Sequence, residues 1–463
     1  MESKPSSVSR RRILKSAGVA AAGSAAAVLL GDSSLPAQQG GPAVLTNTQA
    51  GRKIRAFVKL DKVDPPSVQQ LTLRALTGRQ IAIRTEAAQT CYSSVGQVLL
   101  PSAEAPKQAT IIGHGGVGIV EAVGPDVFAI QKGDRVIVSF HSSCGWCNNC
   151  VNARADQCLN LNADAVPTGD LANGTPVFSG ISGMTELMIV NEEKAVPVFT
   201  QVPAPELAML HCVGNTGLAM TMTKAPVEPG SDVVIFGAGP VGLSAVQGAR
   251  IKGATRIIVV EPIPYRRELA MKLGATATVD PNQFRQRLPN PAWTGTGIAG
   301  DRFRDALVDH LREITKPKTD RNFAGGGRTG PDHIIEAVGG DYGGVKPSEV
   351  TGPDPTGVTV LHQIWELCSQ IGSVVTCSIG HPNGSLVQIP APQWADGAKH
   401  HWGGTGGGVN TRRDVPRYVK MIESGQINMK ALAAKTYPLD ATTEAYRVAM
   451  NRTVVATIVL PNT

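Results

Sequence analysis

The 463-residue chain is poor in aromatic residues (4%) and in charged residues (17%). Few aromatic side chains leave few surfaces on which nucleic-acid bases could stack, so a nucleic-acid partner is not expected. No internal stretch is long and apolar enough to cross a membrane, and no stable membrane span is expected. The chain also has no internal repeat.

Length and composition indicate a globular protein with many turns. The chain is long enough for two or three domains, and its 51 glycines and 32 prolines favour loops over long helices. Part of the net charge of +7 lies at the start, because residues 1–37 carry five Lys or Arg against two acids. The remaining surface is only mildly basic, which does not indicate a nucleic-acid partner.

The first residues have the pattern of a twin-arginine export signal. A twin-arginine motif lies in Ser9–Lys15 (SRRRILK), an Ala/Gly-rich run follows over Ala17–Leu30, and Leu35–Ala37 is a plausible cleavage end. We expect residues 1–37 to be a signal peptide read by the twin-arginine export machinery, and the protein to be periplasmic or extracellular. A disordered basic tail is the alternative. No cysteine follows the apolar run, so a lipoprotein anchor is not expected.

Beyond residue 216 the sequence alternates between apolar strands and helices. Strand Val233–Phe236 precedes helix Val241–Ile251 and strand Arg256–Val260, and further strand–helix units follow. This alternation predicts a doubly wound parallel sheet. Two segments rich in Pro, Gly and Asp, Pro281–Phe303 and Asp341–Gly357, interrupt it and are expected to be surface loops.

The turn after the first of these strands has the pattern G-x-G-x-x-G. Gly237 permits a tight turn, Gly239 lets a pyrophosphate approach, and Gly242 allows helix and strand to pack closely. Glu261 follows the next strand, where an acid grips ribose hydroxyls and repels a 2′-phosphate. The pattern predicts NAD(H) binding, preferred to NADP(H). A Gly-rich turn that binds no dinucleotide is the alternative.

Half of the eight cysteines lie in one short loop. Their spacing, C-x2-C-x2-C with a fourth cysteine eight residues later, can surround one tetrahedral ion in a closed, structural site. Zinc is favoured over the alternatives, which are two disulfides or an iron–sulfur cluster. The four thiols are Cys144, Cys147, Cys150 and Cys158.

The order of these motifs resembles that of the zinc-dependent medium-chain alcohol dehydrogenases. A lone cysteine, a Gly-His pair, the four-cysteine loop, another cysteine and the Gly-rich turn follow one another, and the likeness covers nearly all of the chain after about residue 52. It implies an α/β protein with a GroES-like, mostly β catalytic domain at 38–215. A Rossmann domain would follow at 216–402, and the chain would return to the catalytic domain at 403–463. It also implies a homo-oligomer.

The resemblance implies a second, catalytic zinc, and so two zinc ions per chain. Its ligands would be Cys91, His114 and Cys212, with the fourth position open to substrate. Ser93 would accept the substrate's proton, and Thr216 would lie near the nicotinamide. Taken singly, a lone cysteine is more often a small buried apolar residue, and a lone histidine after glycine is more often a hydrogen-bonded loop residue.

Three positions near these ligands depart from the family pattern. Gly115 stands where the family usually has glutamate, Ser94 where it has aspartate, and Gly96 where it has a relay histidine. Groups around the ligands affect metal affinity and activity. We therefore expect a site with less negative charge and fewer hydrogen bonds around the metal ligands. The proton would leave Ser93 through water or a cofactor hydroxyl.

The implied reaction is hydride transfer between the carbon of a small-molecule alcohol or aldehyde and NAD(H). One alternative is an enzyme similar to formaldehyde dehydrogenase and dismutase, whose tightly bound NAD is recycled internally. Export to a compartment with little free NAD(H), together with the two inserted segments, motivates it. The other alternative is a non-catalytic zinc- and NAD-binding relative, motivated by Gly115 and Ser94.

Overall fold

We describe the fold from a computed structural model. Contacts divide the chain into residues 1–45 and 46–463, and every described residue belongs to the second unit. The predicted signal peptide and most of the two inserted segments lie outside the described residues. The structure describes residues 49–60, 65–99, 108–160, 167–289, 303–315, 330–340, 357–377, 381, 384–389, 394–395 and 398–463.

The described part of the chain contains strands throughout and helices mainly after residue 200. The strands are β1 Lys53–Lys59, β2 Ser67–Leu73, β3 Gln80–Gln89, β4 Ala109–Ile111, β5 Gly116–Val123, β6 Arg135–Val138, β7 Pro167–Asp170, β8 Pro176–Phe178, β9 Leu187–Asn191, β10 Ala195–Pro197, β11 Asp232–Phe236, β12 Arg256–Val260, β13 Ala277–Val279, β14 Arg287–Pro289, β15 Phe303–Asp305, β16 His333–Glu336, β17 Ser373–Thr376, β18 His400–Trp402, β19 Ala433–Pro438 and β20 Ala456–Leu460. The α-helices are α1 Val95–Leu99, α2 Asn148–Val151, α3 Ala204–Ala208, α4 Val213–Ala219, α5 Pro240–Ile251, α6 Pro264–Leu273, α7 Ala306–Thr315, α8 Val358–Leu367, α9 Thr411–Glu423 and α10 Thr442–Met450. None of these described helices has the length and apolar character needed to cross a membrane.

The first domain is mostly β. Strands β1, β2, β7, β8 and β4 close into a barrel, and β3 lies inside a second sheet in the order β10-β6-β5-β3-β20-β19, with β9 also paired to β3. Strand β3 is buried along almost its whole length, as expected for a central strand. The last strand, β20, pairs with β3, Ile458 lying opposite Gln89. The end of the chain therefore returns to the first domain.

The second domain is the predicted doubly wound sheet. Its order is β13-β12-β11-β16-β17-β18, and every pairing in it is parallel. The apolar runs of β11 and β12 are buried, since helices on either side of a parallel sheet cover both of its faces. The predicted α/β fold, a GroES-like domain beside a Rossmann domain, is confirmed.

Two elements differ from the sequence-based expectations. The ends of the inserted segment Pro281–Phe303 form a two-stranded ribbon, β14 with β15, so part of it is not a loop. Helix α4 and the π-helical turn Met220–Lys224 that follows were not predicted. All residues of α4 are buried, and a helix without a polar face has no 3.6-residue periodicity to detect.

Candidate active site

One cavity of about 1020 Å³ adjoins the carboxyl ends of β11 and β12 and reaches into the first domain. In open parallel sheets, ligands bind outside the carboxyl ends of the strands. Residues predicted to bind metal and residues predicted to bind the dinucleotide therefore face the same space. They include Cys91, Ser93, His114, Cys212, Gly237 and Glu261.

The Gly-rich turn joins β11 directly to α5. Gly237 has a φ of +92°, in the left-handed region that favours glycine. A Cβ atom at Gly242 would lie 1.9 Å from the Gly237 carbonyl oxygen, so this glycine lets the helix press against the turn. A Cβ at Gly239 would meet nothing closer than the Arg266 guanidinium at 4.0 Å. The turn is therefore open on the side where the positive helix end would receive a phosphate.

Glu261 lies at the end of β12 and is only 4% exposed. One carboxylate oxygen accepts the Ala238 N–H at 2.7 Å, and the other accepts the Ile263 N–H at 2.9 Å. Arg267 donates hydrogen bonds to the backbone carbonyls of Glu261 and Pro262, which hold its guanidinium in place. The structure thus fixes a carboxylate beside the Gly-rich turn, at the position predicted to grip a ribose.

Cys91, His114 and Cys212 come from three separate segments. Cys91 follows β3, His114 lies in the short connection between β4 and β5, and Cys212 directly precedes α4. Their donor atoms all lie within 4.8 Å of one another, and each side chain is partly exposed to the cavity. The structure therefore brings together three residues that are as much as 121 positions apart in the sequence.

The three side chains influence one another's protonation. A hydrogen bond with Cys212 holds the pKa of the Cys91 thiol well below its usual value, and nearby His114 acts in the same direction. The same contact, together with burial, raises the pKa of Cys212 well above its usual value. Burial lowers the pKa of His114, but the charge of Cys91 outweighs it and raises that pKa. A thiolate, a second thiol and an imidazole form a donor set that suits zinc.

The residues on either side of His114 adopt backbone conformations that favour glycine. Gly113 has a φ of +106° and Gly115 a φ of +84°. A Cβ atom at Gly115 would lie 2.5 Å from the Val138 carbonyl oxygen and 2.6 Å from His211 Nδ1. The His211 ring therefore occupies the space into which the side chain of a non-glycine residue 115 would extend. Sequence reasoning did not identify His211, because adjacency to Cys212 alone gives no signal.

Two hydroxyl side chains lie beside the trio of candidate ligands, Cys91, His114 and Cys212. Ser93 donates a hydrogen bond from Oγ to Cys91 Sγ at 3.1 Å. Thr216 donates from Oγ1 to the Cys212 carbonyl at 2.9 Å and lies 3.4 Å from His141 Nε2. His141 was also missed, since it belongs to no motif. Burial lowers the pKa of His141 to about 4.

The other two departures from the family pattern lie a few residues after Cys91 in the chain. Ser94 is buried, with its N–H bonded to the Cys91 carbonyl at 3.0 Å. Gly96 lies in α1 and offers no side chain that could relay a proton. Among the described residues, no carboxylate belongs to the candidate metal cluster around His114.

The four-cysteine loop forms a second, separate cluster. The sulfurs of Cys147 and Cys150 are 3.4 Å apart, those of Cys144 and Cys150 are 3.9 Å apart, and all four lie within 4.8 Å of one another. Backbone N–H groups of Leu159 and Cys150 lower the pKa of Cys147 to about 6. Four converging sulfurs, one of them a ready thiolate, fit one tetrahedral zinc ion better than two disulfides.

Comparison with known proteins gives matches in both domains. Residues 77–200 match the alcohol dehydrogenase GroES-like domain, and residues 240–342 match the zinc-binding dehydrogenase model. A geraniol dehydrogenase of Castellaniella defragrans is 34% identical over 249 residues, which are 51% of this chain and 66% of that protein. An S-(hydroxymethyl)glutathione dehydrogenase of Saccharomyces cerevisiae is 30% identical over 241 residues, 50% of this chain and 62% of that protein. These matches span slightly less than two thirds of either relative.

A solved structure extends the similarity over the whole fold. The alcohol dehydrogenase zinc-binding domain protein of Burkholderia ambifaria superposes with a TM-score of 0.69 at 25% identity, covering 89% of this chain and 99% of that one. The order of the two matched domains and their geometry give the chain the fold of a medium-chain dehydrogenase. Within that fold, the matches to both domain models and to the two relatives show that the chain is similar to the zinc-dependent alcohol dehydrogenases.

Proposed function

We propose that the chain is a zinc-dependent alcohol dehydrogenase that transfers a hydride between an alcohol carbon and NAD(H). The observation that supports this proposal is the shared cavity, which is lined both by Cys91, His114 and Cys212 and by Gly237 and Gly239 of the dinucleotide turn. A candidate metal site and a dinucleotide turn that line one cavity suit hydride transfer, because cofactor and substrate must meet at one carbon atom.

The chain's own residues would bind and orient the reactants. The trio would hold the catalytic zinc, which when bound lowers the pKa of an alcohol, while the nicotinamide carries the hydride. Ser93 Oγ donates to Cys91 Sγ, which leaves its oxygen lone pairs able to accept the proton of a substrate hydroxyl. With glycine at position 96, the next proton acceptor would be water or a cofactor hydroxyl. Thr216, fixed by the Cys212 carbonyl, would form part of the nicotinamide wall.

Cofactor choice follows from the fixed carboxylate of Glu261. Its two oxygens are held by backbone N–H groups, yet each retains a lone pair for a ribose hydroxyl. A 2′-phosphate would be repelled at this position, which supports NAD(H). The four-cysteine loop would hold a second, structural zinc.

We also propose that the protein is exported through the twin-arginine route, functions in the periplasm or outside the cell, and forms a homo-oligomer. The motif in Ser9–Lys15 supports export. The export machinery accepts folded proteins, which suits a chain that must bind zinc and dinucleotide first.

The first substrates to test are alcohols that appear in the names of the relatives, such as geraniol. Purified protein would be offered geraniol and NAD, with NADH formation followed by absorbance. Ser93→Ala should lower the rate of NADH formation about 100-fold while zinc content stays at wild-type level. If neither geraniol nor other primary alcohols reduce NAD, and the protein holds zinc and NAD without turnover, the non-catalytic alternative would be supported instead.

The internally recycled cofactor is not favoured. The curated relatives carry the names of dehydrogenases, and the segments that motivated the alternative lie mostly outside the described residues. Release of bound NAD by gel filtration, followed by activity that depends on added NAD, would support free exchange.

A further inference from the structure

Buried side chains lie beside both of the glycines that flank His114. A Cβ atom at Gly115 would lie 2.6 Å from His211 Nδ1, and one at Gly113 would lie 2.9 Å from Met184 Cγ, 3.2 Å from Ser182 Oγ and 3.6 Å from the Tyr446 hydroxyl. The His114 segment therefore runs between His211 on one side and Tyr446 on the other. Neither residue belongs to a motif or to the ligand trio.

His211 is completely buried, at 0% exposure. Its backbone carbonyl accepts from the Ser139 hydroxyl at 2.9 Å and from the Phe140 N–H at 3.2 Å, which fixes the position of the residue. Its ring meets that of His114 edge to face, with centroids 5.5 Å apart and planes at 72°. The backbone of Gln89 lies near the ring, but neither ring nitrogen has a partner within normal hydrogen-bond distance among the described residues.

Tyr446 lies in α10 and is also 0% exposed. Its hydroxyl interacts with the side chain of Ser94, where the family usually has a carboxylate, but the contact is longer than a normal hydrogen bond. Ser94 is itself buried. A buried hydroxyl with so weak a partner destabilises a folded protein, so phenylalanine would be the more stable residue at position 446 unless the hydroxyl is used.

We propose that His211 and Tyr446 form a carboxylate-free outer shell that positions His114 for zinc binding. The inference rests on the proposed function only in taking the trio as a zinc site. In this shell, ring packing and buried polar groups on both sides of the Gly113–Gly115 backbone replace charged partners. Residues packed behind a metal-binding histidine fix the orientation of its ring. His211 and Tyr446 would therefore take over the role that carboxylates at positions 94 and 115 have elsewhere in the family.

The test uses His211→Phe and Tyr446→Phe, which keep a ring but remove the polar atoms. Loss of an outer-shell partner lowers metal affinity about 10-fold to 100-fold. We expect zinc release to the chromogenic chelator 4-(2-pyridylazo)resorcinol to accelerate by that factor in one of two phases. The other phase, assigned by its absence in Cys147→Ser, should be unchanged. The melting temperature of Tyr446→Phe should equal or exceed that of the wild type, which a purely structural role would not give.

Matched controls come from the same chain. His333→Phe replaces a buried histidine of β16, and Tyr418→Phe removes a buried hydroxyl of α9 whose contact with Thr223 is likewise longer than a normal hydrogen bond. Both controls should release zinc like the wild type. A Co²⁺-loaded sample gives a second readout, because a reoriented His114 would change the visible absorption of the bound ion.

The outcomes separate this inference from the proposed function. Two zinc ions per chain, with unchanged release kinetics in both variants, would overturn the outer shell and leave the dehydrogenase proposal intact. Only one zinc in the wild type, lost in Cys147→Ser, would contradict both. Faster release in the controls as well would show that any buried substitution loosens the metal, and would also overturn the inference.

Discussion

The two cysteine clusters differ in how the chain supplies their donors. The four-cysteine cluster comes from one continuous loop, in which backbone N–H groups of neighbouring residues face the sulfurs of Cys144 and Cys147. The Cys91–His114–Cys212 cluster comes from three distant segments and faces a large cavity. The four donors of the loop cluster are brought together by one short stretch of chain, whereas the cavity cluster forms only once three distant segments have folded together.

This difference assigns the clusters different roles. Four protein donors complete a tetrahedron and leave no position for a substrate, which is the arrangement of a structural site. Three donors leave a position open, and here the open side faces the cavity that holds the dinucleotide turn. Substitutions in one cluster should therefore affect stability, and substitutions in the other should affect chemistry.

Loss of a cavity ligand should have the largest effect. Cys212→Ser removes one of three donors, and we expect the rate of alcohol oxidation to fall at least about 1000-fold, on the order of 4 kcal/mol. One zinc per chain should remain, measured by mass spectrometry of the metal. A variant that keeps both zinc ions and near-wild-type turnover would show that Cys212 is not a ligand.

Loss of a loop ligand should instead lower stability. Cys147→Ser opens the four-cysteine cluster, and we expect the melting temperature to fall by about 5–10 °C, since metal binding there contributes to folding. The residual activity below that temperature should stay within about threefold of the wild type. If activity disappears while the melting temperature is unchanged, the two roles assigned above are reversed.

The hydroxyl beside the cavity ligands offers a finer test. Ser93→Ala removes the predicted proton acceptor, and turnover should fall about 100-fold, as for the loss of a general base. Ser93→Thr keeps a hydroxyl and should recover most of the activity. Equal turnover in the alanine variant would mean that the proton leaves by another path.

Cofactor preference should change by a smaller factor. Glu261→Gln removes the charge and replaces one acceptor oxygen by an amide NH2 group of similar size, and we expect NADH to bind about 10-fold more weakly. Binding of NADPH should weaken less or improve, because the repulsion of its 2′-phosphate is gone. Titration of cofactor fluorescence measures both, and an equal loss for the two cofactors would argue against a ribose contact.

The smallest effect concerns pH and lies outside both clusters. Burial lowers the pKa of His333, although Asp332 and Glu228 act to raise it, so the folded protein favours the neutral ring. Stability from this histidine is therefore complete above its ordinary pKa of about 6.5 and is lost as pH falls through the lowered value. His333→Gln should reduce the loss of unfolding free energy between pH 7 and pH 5 by less than about 1 kcal/mol, measured by denaturant unfolding at the two pH values. An unchanged pH dependence would contradict the assignment.

The sequence predicted the loop cluster and the dinucleotide turn more directly than the cavity site. Cys144–Cys158 and Gly237–Gly242 are local patterns whose spacing carries the chemistry. The union of Cys91 with His114 and Cys212 was predicted only through family resemblance, since no local spacing links them. His211 and Tyr446 could not be predicted, because their importance depends on which backbone atoms they meet after folding.

The decisive experiment is a comparison of zinc content in three proteins. Wild type, Cys147→Ser and Cys212→Ser would be purified in the same way, and metal per chain would be measured alongside NAD-dependent alcohol oxidation. We predict two zinc ions in the wild type and one in each variant, with oxidation lost only in Cys212→Ser. A wild-type protein with a single zinc that disappears in Cys147→Ser would show that the cavity trio holds no metal, and would contradict the proposed function.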